Sequence, residues 1–178
     1  EPGPGMSLMQ ALKDALGNVN VIAEDLGFLT DGVRRLLHDS GFPGMKVIQF
    51  AFDSREESDY LPHNYEKNCV VYTGTHDNDT LCGWYKVLDP DDLKLSRKYM
   101  NNANTSKSEI HWDFIRLALA SVADLCIIPL QDYLGLGSEA RINTPSTLGN
   151  NWRWRMKQGC MTKELADQIR ELTTLYGR

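Results

Sequence analysis

The sequence lacks the features of several protein classes. Its 178 residues contain no run of about 18 apolar residues that could span a bilayer. No basic run is long enough to bind a phosphate backbone or an anionic membrane surface, and the net charge is −5. The four cysteines lie far apart without a C-x-x-C pair. We therefore expect no nucleic-acid partner, no membrane partner and reduced thiols in the cytoplasm.

Nucleotide-binding motifs are absent where an α/β protein would carry them. Neither a G-x-G-x-x-G motif nor a P-loop follows the first predicted strand. The composition, with 42% hydrophobic and 24% charged residues, is that of a globular protein. A chain of this length can bury one sizeable core.

Strands and helices alternate along the chain. Four apolar segments predict strands, at residues 19–23, 45–52, 69–73 and 124–130. Amphipathic segments predict helices at about residues 8–16, 30–40, 91–100, 109–123 and 162–176, the fourth of them opened by a capping box of Ser106 and Glu109. This order predicts an α/β fold with four parallel strands, intervening helices and right-handed crossovers.

Each predicted strand ends in acidic residues. They are Glu24 and Asp25, then Asp53, then Asp77 and Asp79, and finally Asp132. In a (β/α)₈ barrel such ends converge on one mouth, which carries the active site. An open doubly wound sheet also fits the alternation. A complete barrel typically needs about 250 residues and eight strands, about twice the number of strands predicted here.

Carboxylates that arrive from several strands leave three kinds of chemistry open. One is glycoside chemistry, with one carboxylic acid and other carboxylates around an oxocarbenium-like centre. Another is a metal site built from His76, Asp77, Asp79 and Asp132. A third is a polar layer that binds sugar or serves only the fold. Aromatic residues next to polar loops could stack on sugars or pack in the core: Trp84, Tyr85, Trp152 and Trp154.

Several sequence blocks then resemble a known family. In order they are AEDLG (23–27), GFPGMKVIQFAF (41–52), LPHNY (61–65), YTGTHDNDT (72–80), IIPLQDYLGLGSEARINTP (127–145) and NWRWR (151–155). This series closely resembles the 4-α-glucanotransferases called amylomaltase or disproportionating enzyme, and it spans nearly the whole chain. The resemblance implies a (β/α)₈ barrel that transfers α-1,4-glucan segments, with retention, between maltooligosaccharides or starch- and glycogen-derived glucans. It implies neither a metal nor an organic cofactor.

The resemblance also implies roles for individual residues. Glu24, in AEDLG, corresponds to the general acid/base, and Asp77, in THDND, to the carboxylate that stabilises the transition state. The predicted substrate contacts are His76, Asp25, Phe50, Asp53 and Asn143. Packing or capping is the alternative explanation for the last four.

One family feature is missing from the sequence. The family's nucleophile is an aspartate in an Arg-x-Asp context before AEDLG, and nothing in residues 1–18 matches it. Because an initiator Met is also lacking, we expect residues 1–178 to be the C-terminal portion of a single catalytic barrel domain, with the N-terminal half absent, and to be inactive alone. The alternatives are a non-catalytic glucan-binding or assembly fragment and a metal-dependent hydrolase using His76, Asp77 and Asp79.

Overall fold

The computed structural model describes residues 3–17, 19–27 and 29–178. Within these ranges the strands form one parallel sheet in the order β1-β2-β3, with β1 at Gly44–Val47, β2 at Cys69–Tyr72 and β3 at Leu125–Ile127. Met45 pairs with Val70, which pairs in turn with Leu125. The prediction of an α/β fold with a parallel sheet is therefore confirmed.

Helices precede, separate and follow the strands. In chain order they are α1 (Met6–Leu16), α2 (Asp31–Ser40), α3 (Leu81–Val87), α4 (Pro90–Met100), α5 (Ile110–Leu119), α6 (Leu130–Tyr133) and α7 (Lys163–Leu175). Short 3₁₀ turns lie at Ile48–Phe50, Pro62–Asn64 and Ser138–Ala140. Helices α3 and α6 were not predicted, because seven and four residues are too short to show a clear periodicity.

The predicted strand at residues 19–23 is wrong, so the described sheet has three strands rather than four. In this segment the backbone N–H of Ala23 donates to the carbonyl of Pro43 at 2.9 Å, just before β1. A strand requires a continued ladder of such bonds. The side chains of Val19 and Ile22 are exposed, so the segment is not packed against the sheet by apolar burial either.

Two further strands are shorter than predicted. β1 ends at Val47, and the apolar run continues as the 3₁₀ turn Ile48–Phe50, so Asp53 does not directly follow a strand. β3 ends at Ile127, and Pro129 is the N-cap of α6. Short apolar runs occur in strands and in helical turns alike, so the pattern alone could not separate the two conformations.

The core lies between one face of the sheet and the helices. Cys69 and Val71 of β2 belong to the same buried cluster as Phe114 of α5 and Leu172 of α7. The predicted capping box of α5 is wrong: Glu109 makes no capping hydrogen bond through its side chain, and the helix begins at Ile110.

The opposite face of the sheet is open at β3. Alternation places Met45, Val47, Val70, Tyr72, Leu125 and Ile127 on this face. Val47 and Val70 are buried, whereas Leu125 is 47% and Ile127 37% exposed. Helix α1 has no buried residue.

All four cysteines are free, with Cys69 buried and the others half-buried. In the described parts of the chain, no helix has the length and apolar character to cross a membrane.

Candidate active site

The loop between β2 and α3 carries the polar cluster seen in the sequence. Its first half is a tight turn, in which the side-chain oxygen of Asn78 accepts from both N–H and Oγ1 of Thr75 at 2.8 Å. The N–H of Asp77 donates to Oγ1 of Thr75 at 3.2 Å. A Cβ on Gly74 would lie 2.6 Å from Nε2 of Gln49, so the glycine leaves room for the hydrogen bond from Gln49 to the carbonyl of Asp79. The turn thus projects His76 and Asp77 past the carboxyl end of β2.

Glu24, His76 and Asp77 line one cleft of about 400 Å³. Glu24 is exposed and enters the cleft from the segment before α2. The strand residues Met45, Tyr72 and Ile127, the loop residues Thr75 and Ile142, and Gln131 of α6 are also among those lining the cleft. The fold therefore brings the two carboxylates predicted to be catalytic to one concave surface, although 52 residues of sequence lie between Glu24 and Asp77.

Asp77 is fixed by the segment that follows the 3₁₀ turn Ser138–Ala140. Nδ2 of Asn143 donates to Oδ1 of Asp77 at 2.6 Å, and Nε2 of His76 lies 3.3 Å from the same oxygen. Arg141 donates from Nη2 to the carbonyl of Asp77 at 2.6 Å and from Nε to the carbonyl of Asn143 at 2.8 Å. Sequence reasoning selected Asn143 and missed Arg141. The contact of Arg141 with Asp77 is long-range, and no local sequence pattern indicates it.

An exposed tryptophan lies beside His76. The ring centroids of His76 and Trp152 are 5.1 Å apart at an interplanar angle of 35°. The backbone of Trp152 has φ +63°, unusual for a bulky residue, and its N–H donates to the carbonyl of Ile142 at 2.7 Å. Asn151 closes the preceding loop through hydrogen bonds to Thr144 and Thr147. The ring, 58% exposed, thus stands at the edge of the site.

Asp132 is enclosed rather than open to the cleft. It is 2% exposed, and its two oxygens accept from Oγ1 of Thr73 at 2.6 Å and from N–H of Leu81 at 2.8 Å. Burial raises the pKa of Asp132 to about 6, although both hydrogen bonds act in the opposite direction.

The four residues of the alternative metal site do not converge. Asp79 accepts from Oγ of Ser138 at 2.6 Å and from N–H of Thr80 at 2.8 Å, at the start of α3. Asp132 is enclosed, as described above. In the ranges that the structure describes, no three His, Cys, Asp or Glu side chains form a ligand set for a metal ion.

The remaining predicted substrate contacts lie elsewhere. Oδ1 of Asp25 accepts from N–H of Met45 at 2.6 Å, and a Cβ on Gly44 would lie 2.6 Å from the other oxygen of Asp25. Asp25 therefore caps the start of β1, and it lines a cavity that Glu24 does not reach. Its contact with substrate stays a prediction.

Phe50 and Asp53 line a second concavity of about 560 Å³, together with Tyr60 and Trp84. The rings of Phe50 and Tyr60 meet edge to face at 5.4 Å. Arg55 donates to both oxygens of Asp53, at 2.7 and 2.6 Å, and these hydrogen bonds lower the pKa of that carboxyl to about 2. The structure thus groups Glu24, His76, Asp77 and Asn143, and it separates Phe50 and Asp53 from them.

The parallel sheet is flanked by helices, and two carboxylates and a histidine are grouped beyond the carboxyl ends of its strands. This is the arrangement of an α/β enzyme. The sequence profile described as 4-alpha-glucanotransferase matches residues 1–162. The chain is 49% identical over 177 residues to a 4-alpha-glucanotransferase of Clostridium butyricum, covering 99% of this chain and 36% of that protein. It is 48% identical over 179 residues to the 4-alpha-glucanotransferase of Synechocystis, covering 99% and 35%.

Solved structures agree with these relatives. The amylomaltase of Streptococcus agalactiae in complex with acarbose superposes with a TM-score of 0.92 at 37% identity, covering 100% of this chain and 36% of that one. The amylomaltase of Corynebacterium glutamicum, 16% identical with a TM-score of 0.68 over 92% of this chain and 30% of that one, shares the fold. The chain belongs to the 4-alpha-glucanotransferase family, as the sequence resemblance predicted. It spans about a third of the length of its curated relatives.

Proposed function

We propose that the chain is the C-terminal portion of a (β/α)₈ catalytic barrel in a 4-alpha-glucanotransferase. The enzyme would move α-1,4-glucan segments between maltooligosaccharides with retention of configuration. Family membership and the parallel sheet support this proposal. The open sheet face at Leu125 and Ile127 also supports it, because the interior of a barrel is covered only when the remaining strands are present. The observation that carries it is the single cleft lined by both Glu24 and Asp77.

Glu24 acts in this proposal as the general acid and then as the general base. Its side chain is exposed on the cleft wall, where a glycosidic oxygen can reach it. It protonates the leaving oxygen in the first step, and in the second step it takes a proton from the hydroxyl of the acceptor sugar. Proton transfer of this kind contributes about 10²–10⁴-fold to rate.

Asp77 stabilises the transition state. The amide of Asn143 and the neighbouring imidazole of His76 hold one carboxylate oxygen in place, while the backbone is fixed by Arg141. A preoriented carboxylate can bind the hydroxyls of the distorted sugar and interact more strongly as positive charge develops at the anomeric carbon.

The nucleophile comes from outside these 178 residues in this proposal, because the sequence contains no Arg-x-Asp motif. Its carboxylate attacks the anomeric carbon and forms a covalent glucosyl-aspartate as the leaving sugar departs. The acceptor hydroxyl then displaces the aspartate. Acid, base and nucleophile are all carboxyl groups, so the proposal includes neither a metal nor an organic cofactor.

The proposed substrates are maltooligosaccharides and glucans derived from starch or glycogen. The Streptococcus agalactiae relative was solved with acarbose, and the exposed ring of Trp152 beside His76 offers a face on which a sugar can stack. We place the protein in the cytoplasm, in agreement with its four free cysteines.

Disproportionation of maltotriose by the full-length protein tests the function. We expect glucose and maltopentaose as first products, and a loss of about 100-fold or more in rate for both Glu24→Gln and Asp77→Asn. Glu171→Gln, an exposed glutamate of α7, serves as the control and should keep the wild-type rate. Full activity of Glu24→Gln would refute the assignment of the acid/base.

A further inference from the structure

We propose that Asp132 is a positioning residue for the reaction, because its carboxylate ties together the two ends of the loop that presents His76 and Asp77. This inference rests on the function proposed above. Thr73 directly follows the last residue of β2, and Leu81 is the first residue of α3. Asp132 accepts hydrogen bonds from the hydroxyl of Thr73 and from the backbone N–H of Leu81.

The contacts of Asp132 differ in kind from the other contacts of the loop. Thr75 and Asn78 bond to each other inside it, and Gln49 donates to the carbonyl of Asp79 near its end. Asp132 instead joins the end of a strand to the start of a helix, from a position 59 residues beyond one and 51 beyond the other. It therefore sets the span that the loop must bridge.

A carboxylate is a costly choice for a position that is 2% exposed. An apolar residue would avoid this cost but would leave the hydroxyl of Thr73 and the amide of Leu81 without acceptors. A carboxylate accepts both at once through separate oxygens. Burial raises its pKa to about 6, so near neutral pH the ionised form that accepts both bonds predominates.

Loss of the hydrogen bonds that Asp132 accepts from Thr73 and Leu81 should lower kcat more than it changes KM. Asp77 acts on charge that develops only in the transition state, and a misplacement of about 1 Å in such a group can cost about 100-fold. The contacts from Asn143 and Arg141 limit the displacement. We therefore expect kcat to fall about 10-fold and KM to change less than about 2-fold.

Four variants of the full-length protein, assayed with maltotriose, test the role of the hydrogen bonds to Asp132. Asp132→Asn removes one acceptor, and Thr73→Val removes the hydroxyl at nearly constant shape; both should lower kcat about 10-fold. Thr73→Ser keeps the hydroxyl and should restore most of the kcat. Ser96→Ala removes a buried hydroxyl that donates to the carbonyl of Leu93 in α4, and it should leave kcat unchanged whatever it does to stability.

Hydrogen exchange of the segment 74–80, measured by mass spectrometry on the same variants, separates positioning from general destabilisation. We expect faster exchange in this segment for Asp132→Asn and Thr73→Val and the wild-type exchange rate for Ser96→Ala. Wild-type kcat and exchange in Thr73→Val would overturn the inference, even if Asp132→Asn did not fold. An inactive wild-type protein would refute the proposed function instead, while the exchange rates would still decide whether Asp132 holds the loop.

Discussion

Arg141 illustrates, at the scale of the residue, how the site depends on side chains outside the cleft. Its guanidinium donates to the carbonyls of Asp77 and Asn143 and so aligns the amide of Asn143 with the carboxylate of Asp77. A lysine carries one compact ammonium group and cannot reproduce this forked geometry.

We therefore predict that Arg141→Lys lowers kcat for maltotriose about 10-fold, by loosening the pair formed by Asn143 and Asp77. Steady-state kinetics of the full-length protein measure the effect. Arg153→Lys, an exposed arginine in the NWRWR segment, is the matched control. Equal kcat values for the two variants would argue against a role for Arg141 in alignment.

Asp132 also makes stability depend on pH. Its pKa in the folded chain, about 6, lies above the ordinary value of 3.8, chiefly because of burial and partly because of the nearby charge of Asp79. Between these values the folded state binds the proton more readily than the unfolded state, so this group contributes less stability as the pH rises. The contribution is complete below about pH 4 and is lost above about pH 6.

The measurable quantity is the difference in the free energy of unfolding between wild type and Asp132→Asn. Urea titrations should show that the wild type loses up to about 3 kcal/mol of stability relative to Asp132→Asn between pH 4 and pH 7. Taking the difference cancels the titration of the other carboxylates. A difference that does not vary with pH would contradict the raised pKa.

At the scale of the element, the end of α5 is closed by Arg178. The guanidinium donates to the carbonyls of Leu119, Ser121 and Ala123 at 3.1, 2.7 and 2.5 Å. Carbonyls at and beyond the end of a helix lack intrahelical partners, and a positive charge there is favourable.

Replacement of this arginine should destabilise the fold. We predict that Arg178→Met lowers the free energy of unfolding by about 1–3 kcal/mol, whereas Arg170→Met, which breaks an exposed ion pair with Asp167 in α7, costs about 0–1 kcal/mol. Urea unfolding of the two variants measures both values. Equal losses would show that the Arg178 contacts contribute no more than a surface ion pair.

The elements also show what the sequence could predict. Helices with an N-cap and a clear apolar stripe, such as α2 after Thr30 and α7 after Thr162, were predicted correctly, because the caps and the stripe are local features. Short helices and strand ends were missed, since burial acts equally on extended and helical apolar runs. The strand at residues 19–23 was wrong because pairing, not propensity, decides whether a strand forms.

The site was predictable only through the resemblance. Pattern alone indicated carboxylates at strand ends and left sugar and metal chemistry open. Which carboxylates share a cleft depends on long-range contacts, and these contacts group Glu24 with Asp77 while they enclose Asp132. Neither Arg141 nor Asp132 could be assigned its contacts from neighbouring residues.

At the scale of the whole molecule, the described sheet ends in the edge strands β1 and β3, and the apolar side chains of Leu125 and Ile127 on β3 are exposed. As a separate polypeptide, these 178 residues should therefore self-associate and should not disproportionate maltotriose, because no nucleophile motif is present. Light scattering and product analysis test both expectations. A monomer that forms glucose and maltopentaose would contradict them.

The pairing of Glu24 and Asp77 on one bound sugar is tested most directly by changing the leaving group. Fluoride departs without protonation, so full-length Glu24→Gln should react with α-maltosyl fluoride far better than with maltotriose, and azide should accelerate it by replacing the acceptor that needs a base. Asp77→Asn should be slow with both donors, because the carboxylate of Asp77 stabilises the sugar in the transition state and not the leaving group. Equal impairment of Glu24→Gln on the two donors, without acceleration by azide, would contradict its role as the acid/base.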